Sequence, residues 1–338
     1  MRSNRTPNRT SMSNPSRRAV LATGVAALSL PFVGRASAQA QWPTRVVKVV
    51  VPFAAGGTTD ILGRLMAQKL SEEHGQQFIV ENKAGAGGNL GADSVAKADP
   101  DGYTFVIGTP GPHVINQYIY KNQPFDGVKD LSPVIVIARV PNLISVNPGV
   151  KANTLAEFIA LAKANPGKLS YASPGNGSTG HVATELLKSM AGIDLVHVPY
   201  RGSVPALTDV IGGRVEFSLD NLPAVQPHVE GGKLRALAVT TAKRWPLMPD
   251  VPTVAETVPG YEASSWFTIA APAKTPADII AKVNKSVNTY MADKEMIERM
   301  RKLGADPVGG SSDDMAKLIA DENVKWKKAI EFAGLKPE

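Results

Sequence analysis

Two segments of this chain combine bare glycine backbone with hydroxyl side chains in a spacing suited to holding an anion. The first is Phe53-Ala54-Ala55-Gly56-Gly57-Thr58-Thr59-Asp60. The second is Ser173-Pro174-Gly175-Asn176-Gly177-Ser178-Thr179-Gly180-His181. Each follows an apolar, strand-like run and opens a stretch of helical periodicity. The first N–H groups of a helix have no partner inside it and carry partial positive charge, so they can hold an anion without a cationic side chain. Neither segment contains lysine or arginine. Two such turns far apart in sequence predict two lobes closing on one small anionic ligand.

Other chemistries fit less well. The first turn lacks the lysine and closing Ser/Thr of a nucleotide-binding loop. Around Gly85-Ala86-Gly87-Gly88-Asn89-Leu90-Gly91, Leu90 stands where a dinucleotide fingerprint needs a small residue. Ser178 follows a strand and precedes a helix, as in a nucleophile elbow, but Asn176 occupies the required glycine position. His181 lies one helical turn from Ser178, whereas the base of a catalytic triad normally comes from elsewhere. The five histidines (His74, His113, His181, His197, His228) show no paired metal spacing, and there is no cysteine. We expect no catalytic residue, no metal and no cofactor.

Residues just beyond strand ends are placed to meet a ligand in an open α/β sheet. Thr109 and His113 follow one strand, Tyr200, Arg201 and Gly202 another, and Asp220 and Asn221 a third. Arg201 is either a ligand contact or a solvated surface group. Asp220 orders a loop or accepts a ligand hydroxyl or amine. Trp266 and Phe267 lie where the chain returns to the first lobe; Trp266 is either core or a pocket wall.

The elements that position these residues alternate strand and helix. The run 46–51 reads as a strand buried on both faces, followed by a helix from Thr58 that Gly75 stops. Strands are expected at 78–80 and 103–108, with a helix between them ending at Asp99-Pro100-Asp101-Gly102. After a strand at 134–140 the pattern repeats: Thr154 caps a helix through Ala164, then come strand 169–172, helix 179–190, strand 195–198, helix 205–211, and strands 215–219 and 234–240. Residues 244–260 are proline-rich and irregular. Strand 264–270 precedes three helices, opened by Thr275-Pro276, Asp293 and Ser311-Ser312. Alternation of this kind predicts parallel sheets with crossover helices. The fold class is α/β, with lobe 1 formed by residues 41–140 and 264–338 and lobe 2 by 141–263. The hinge crossings are expected near 138–144 and 260–268.

The amino terminus reads as an address. Ser16-Arg17-Arg18-Ala19-Val20-Leu21 is a twin-arginine pattern with valine where phenylalanine is usual. An apolar stretch follows at 20–33, too short for a confident membrane span, and Ala36-Ser37-Ala38 or Ala38-Gln39-Ala40 offers a cleavage site. Residues 1–40 are therefore an expected export signal, of twin-arginine type in preference to the ordinary secretory one. The chain has 37 basic and 30 acidic side chains, a net of +7, but six arginines lie in this leader, which has no acidic residue. Without them 31 basic groups face 30 acidic ones, a net of +1. The basic balance thus reflects targeting, and nucleic acid drops out as a partner. With no cysteine there is no disulfide and no lipid-modified residue. A soluble periplasmic monomer that is not a lipoprotein is expected.

The two turns, together with Asp99-Pro100-Asp101-Gly102-Tyr103-Thr104, His197-Val198-Pro199-Tyr200-Arg201-Gly202, Pro249-Asp250-Val251-Pro252-Thr253 and Ala270-Ala271-Pro272, resemble the Bug family. These are extracytoplasmic solute receptors of tripartite tricarboxylate transporters, and the likeness runs in order along nearly the whole mature chain. It implies a type II periplasmic-binding-protein fold whose two lobes, joined by a two-segment hinge, close like a flytrap. It implies a non-enzymatic receptor for a small carboxylate (a di- or tricarboxylate, acidic amino acid or aromatic acid). The receptor would pass its ligand to inner-membrane permease subunits, or alternatively to a sensor; a hydrolase using the same cleft is the remaining alternative. The grip would fall on residues 53–60 and 173–179, with Thr109, His113, Arg201, Asp220 and Trp266 supplying selectivity.

Overall fold

The computed structural model describes Met1 and residues 42–337. The export signal read in residues 1–40, with Arg17 and Arg18, lies outside the described residues apart from Met1.

The chain from Trp42 onward forms one compact unit. It opens with β1 (Val47–Val51), α1 (Thr58–His74), β2 (Phe78–Asn82), α2 (Asn89–Ala96) and β3 (Thr104–Gly108). A wide helical turn at Gly111–Ile115 then runs into α3 (Asn116–Ile119). The long β4 (Leu131–Val146) leads to α4 (Leu155–Ala164), β5 (Ser170–Ser173), α5 (Thr179–Ala191), β6 (Val196–Pro199) and α6 (Ser203–Ile211). There follow β7 (Phe217–Asn221), α7 (Leu222–Glu230), β8 (Arg235–Val239) and β9 (Ser264–Pro272). The chain closes with α8 (Ala277–Ala292), α9 (Lys294–Lys302), β10 (Asp306–Gly309) and α10 (Ser312–Phe332).

Local rules explain most boundaries. Gly75 ends α1 in the left-handed conformation (φ 66°), returning its N–H to the Ser71 carbonyl. Thr154, Ser178, Asp293 and Ser311 each cap the helix they precede through a side-chain oxygen. Leu62, Leu65, Met66 and Leu70 of α1 are all buried against the valines of β1. Burying each contributes about 1.5–3 kcal/mol, which is why α1 sits rigidly behind the first glycine turn.

The sheet runs β2-β1-β3-β9-β4-β7-β5-β6, with β8 and β10 also paired to β4. The expected parallel pairing holds for β1 with β2 and β3, and for β5 with β6 and β7. It does not hold for β4, β8, β9 and β10, whose pairings are antiparallel. The physical reason is that β4 and β9 carry the chain between the two halves in opposite directions. Residues 131–141 of β4 pair with β9, and from Asn142 onward β4 pairs with β7. One continuous strand therefore belongs to both halves.

Several elements depart from the sequence reading. α7 carries Pro223 and Pro227, which mask its helical signal; Pro223 sits at the helix start, where no N–H is needed. The turn at Gly111–Ile115 and the short β10 lack the length for a periodic signal.

Candidate functional site

Both glycine turns, and the starts of two further helices, meet at one narrow cavity. From the first half come Phe53, Gly57, Thr58 and Thr59, with Thr109, Pro110 and Gly111 beyond β3. From the second come Pro174, Ser178 and Thr179, with Ser203 and Asn221. Ser265 and Phe267 of β9 complete the wall. The cavity is small, about 30 Å³ for the centre of a water-sized sphere.

None of these lining residues is charged. What polarises the space is the backbone: α1, α5, α6 and α7 all begin at it. Among these, α1, α6 and α7 have no side-chain cap, so the N–H groups of their first turns, apart from the positions of Pro205 and Pro223, have no side-chain acceptor from the cap residue. Each such terminus favours an anion by about 0.3–1 kcal/mol, and more where the geometry is partly buried. Several polar atoms here are buried without a hydrogen-bond partner: Thr58 Oγ1, Thr109 Oγ1 and Asn221 Oδ1 on the wall, and Asp220 Oδ2 behind it. Leaving the three wall groups unpaired costs about 1–3 kcal/mol each, which a polar ligand would recover.

The first turn is held from behind by Asp60. Its carboxylate accepts the Gly56 N–H and the Arg64 Nε–H, each at 2.9 Å, and the Asn82 amide, also at 2.9 Å. Burial pushes its pKa up, but the bonds from Arg64, Gly56 and Asn82 outweigh this and hold it below the usual carboxylate range. Asp60 therefore braces the turn, with its lone pairs spent there. Gly56 needs its left-handed φ of 84° to make this fold-back.

The second turn is propped by imidazoles. His181 Nδ1 accepts the Gly177 N–H at 3.1 Å, and Ser178 Oγ accepts the His181 N–H. His181 stacks on His197 (4.2 Å between centroids, 8° between planes), which stacks on Tyr171. His197 Nε2 pairs with Ser173 Oγ at 2.7 Å, and that oxygen also accepts the Gly175 N–H. Burial lowers the pKa of His181 to about 4 and, with His181 and Lys188 nearby, that of His197 to about 3. Both rings are neutral near pH 7, as the acceptor role of Nδ1 requires.

Each turn touches residues of the opposite half of the molecule. The Ala54 N–H donates to the Arg201 carbonyl at 3.1 Å, and the Tyr120 hydroxyl donates to the Asn176 carbonyl at 3.0 Å. A Cβ on Gly87 would collide with the Asn176 carbonyl, and one on Gly177 with Asn116 Oδ1. Thr179 and Ser265 share a hydroxyl–hydroxyl bond at 2.7 Å. Glycine thus serves two purposes here, freeing N–H groups and letting backbone meet backbone.

Of the residues expected to bind, Phe53, Gly57, Thr58, Thr59, Thr109, Pro174, Ser178 and Thr179 line the cavity. Ala54, Ala55, Gly56, Ser173, Gly175, Asn176 and Gly177 shape the turns beside it without lining it. The five residues expected to supply selectivity separate. Arg201 is exposed and offers only its carbonyl to Ala54. Trp266 is core: it is fully buried, with Nε1–H donating to Glu322 Oε2 at 3.0 Å. Side chains alternate along a strand, so its neighbours Ser265 and Phe267 face the cavity instead. His113 lies buried behind the wall, Nδ1 against the Gly127 carbonyl and Nε2 against Thr268 Oγ1. Asp220 is buried beneath Ser203 and Asn221, which line the cavity in its place. Ser203, Ser265, Pro110 and Gly111 were not expected from the sequence; only Ser203 had a usable signal, as a hydroxyl following Gly202 at a helix start.

Residues 62–335 match the family described as "Tripartite tricarboxylate transporter family receptor". Protein BugT of Bordetella pertussis is 37% identical over 297 residues, covering 87% of this chain and 91% of that one. A Rhodopseudomonas palustris protein solved with adipate is 48% identical, with a TM-score of 0.87, covering 88% of this chain and 100% of its own. MatC from the same organism, solved with bound malate, is 32% identical with a TM-score of 0.82, covering 85% and 99%. The neighbours have the two-lobed α/β fold of periplasmic binding proteins.

Proposed function

We propose a function from the premise that this chain belongs to the tripartite tricarboxylate transporter family of receptors: it is a solute receptor that captures a small carboxylate. Relatives solved with adipate and malate support that ligand class. The observation that carries it for this chain is the uncharged cavity where uncapped helix starts meet the unpartnered hydroxyls of Thr58 and Thr109. Such a site recognises a carboxylate by directed N–H and O–H groups.

Capture proceeds by population shift. An open form admits the ligand, and contacts with both turns stabilise the closed one. The moving bodies are residues 41–140 with 264–338, and residues 141–263, hinged where β4 and β9 cross. Thr58, Thr59, Ser178 and Thr179 grip the acid group, while Ser203, Asn221 and Phe267 surround the remainder. The receptor acts in the periplasm after export, as a monomer without catalysis, and delivers its ligand to permease subunits in the inner membrane. No helix among the described residues is long and apolar enough to cross a membrane.

The test is native mass spectrometry of the purified protein, followed by a thermal-shift panel of mono-, di- and tricarboxylates. A binder at one hundred times its Kd should stabilise the protein by about 2.7 kcal/mol. A panel with no shift, and no carboxylate carried through purification, overturns the reading.

A further inference from the structure

Asp220 is a buried carboxyl next in sequence to Asn221, which lines the cavity. It is 1% exposed at the end of β7. Its Oδ1 accepts the Asn221 N–H at 2.7 Å, and Oδ2 has no well-formed hydrogen bond. The Ser203 hydroxyl faces the carboxyl and favours its charged form. That same Ser203 lines the cavity and lies 3.4 Å from where a Gly57 side chain would begin. Ser203 therefore stands between a buried acid and the place where a ligand acid must sit.

A hydroxyl has a single proton to donate. With Asp220 ionised, Ser203 donates to it and turns lone pairs toward the cavity, which repels an anion. With Asp220 protonated, its O–H donates to Ser203, and Ser203 is free to donate to the ligand. We propose that capture of a carboxylate is coupled to uptake of one proton by Asp220, with Ser203 reversing its hydrogen bond as the ligand arrives. The proton comes from solvent, and the buried site gains an anion and a proton together. This rests on the receptor reading above and adds to it a preference for acids that carry no ammonium group, since no carboxylate would remain to meet one.

The surroundings leave Asp220 free to titrate near neutrality. Burial pushes its pKa up to about 7, against the Asn221 N–H and the Ser203 hydroxyl. Charged groups on the packed elements are engaged elsewhere. Asp209 of α6 pairs with Arg214 and Tyr200, and Lys188 of α5 with Glu185. His181 and His197 are occupied in the turn, His228 and Glu230 lie at the far end of α7, and Arg139 of β4 is exposed.

The experiment is isothermal titration calorimetry with adipate, or with the strongest binder of the carboxylate panel, in HEPES and in Tris at pH 8 and in two non-carboxylate buffers of different ionisation enthalpy at pH 6. We expect close to one proton taken up per ligand at pH 8 and little at pH 6. Affinity should weaken about tenfold per pH unit above 7. Ser203→Ala should bind more weakly and lose most of that pH dependence, and Asp220→Asn should lose the uptake. Tight binding at pH 8 without proton uptake overturns the coupling and leaves the receptor reading intact. Preferred binding of an amino acid over its deaminated analogue also overturns it. The ligand-free protein gives a separate check: Asp220→Asn should gain in Tm relative to wild type from pH 5 to pH 8. A constant difference shows that Asp220 does not titrate there and overturns the proposal, whatever the ligand.

Discussion

The two glycine turns offer the same backbone chemistry but are held in different ways. The first is anchored by a charge: Asp60 ties Gly56 to Arg64 and Asn82, and α1 begins without a cap. The second is anchored by neutral groups: Ser178 caps α5, and a Tyr171–His197–His181 stack supports Gly177 and Ser173. A charged brace tolerates neutral and alkaline pH, whereas an imidazole acceptor works only while it stays unprotonated. The two jaws of one clamp should therefore fail under different conditions.

The largest effect should come from the contact of the second turn with the first half of the molecule. Gly177→Ala puts a Cβ into Asn116 Oδ1 at a residue whose φ is 74°. Ligand affinity by calorimetry should fall by at least about 100-fold, the scale of a few kcal/mol of strain and lost contact. Normal affinity would mean that the second turn need not approach Asn116 in the bound state.

Gly57→Asp comes next and strikes the first turn alone. Its φ is ordinary, and a new Cβ would lie at ordinary contact distance, 3.4 Å, from Ser203. The fold should survive while a carboxylate at the mouth of α1 repels the ligand. We expect binding to be lost in the thermal-shift panel with the unliganded Tm nearly unchanged. Retained binding places the acid group away from α1.

Titration distinguishes the two braces. His181 has its folded pKa pushed down to about 4 from an ordinary value near 6.5. Its contribution to stability is complete above about pH 6.5 and is lost as pH falls toward 4, because the unfolded chain takes the proton first. Asp60 is held below the carboxylate range, so its contribution persists to lower pH and is lost only as pH falls through its depressed value. Thermal melts of His181→Gln and Asp60→Asn against wild type should diverge accordingly. The His181 difference should shrink between pH 6.5 and 4.5, and the Asp60 difference should hold there. Identical pH profiles would remove the contrast between the jaws.

The smallest effect should be that of Arg201→Ala. The side chain is exposed and only the backbone carbonyl bridges to Ala54. Stability should change by less than about 0.5 kcal/mol, the usual range for a surface substitution. Affinity in the same assay should stay within about twofold, and a larger loss would return Arg201 to the site.

Much of this architecture was legible one segment at a time. Caps at Thr154, Ser178, Asp293 and Ser311 and the glycine stop at Gly75 are short-range devices, and each acts where its residue type implies. α7 was hidden because its two prolines speak against a helix until the rest of the protein packs on it. Antiparallel pairing at β4 and β9 was equally hidden, because strand direction depends on partners far along the chain.

The site divides along the same line. That bare backbone and hydroxyls would stand at helix starts was set by the local order Gly57-Thr58-Thr59 and Gly177-Ser178-Thr179, since capping and φ preference act within a few residues. Which side chains complete the wall was decided by tertiary structure. β9 turns Ser265 and Phe267 toward the cavity and Trp266 toward Glu322, and the depth of β7 puts Asp220 behind Ser203. Sequence marks the residues near the end of a strand; only the register of that strand against its neighbours chooses the face each one shows.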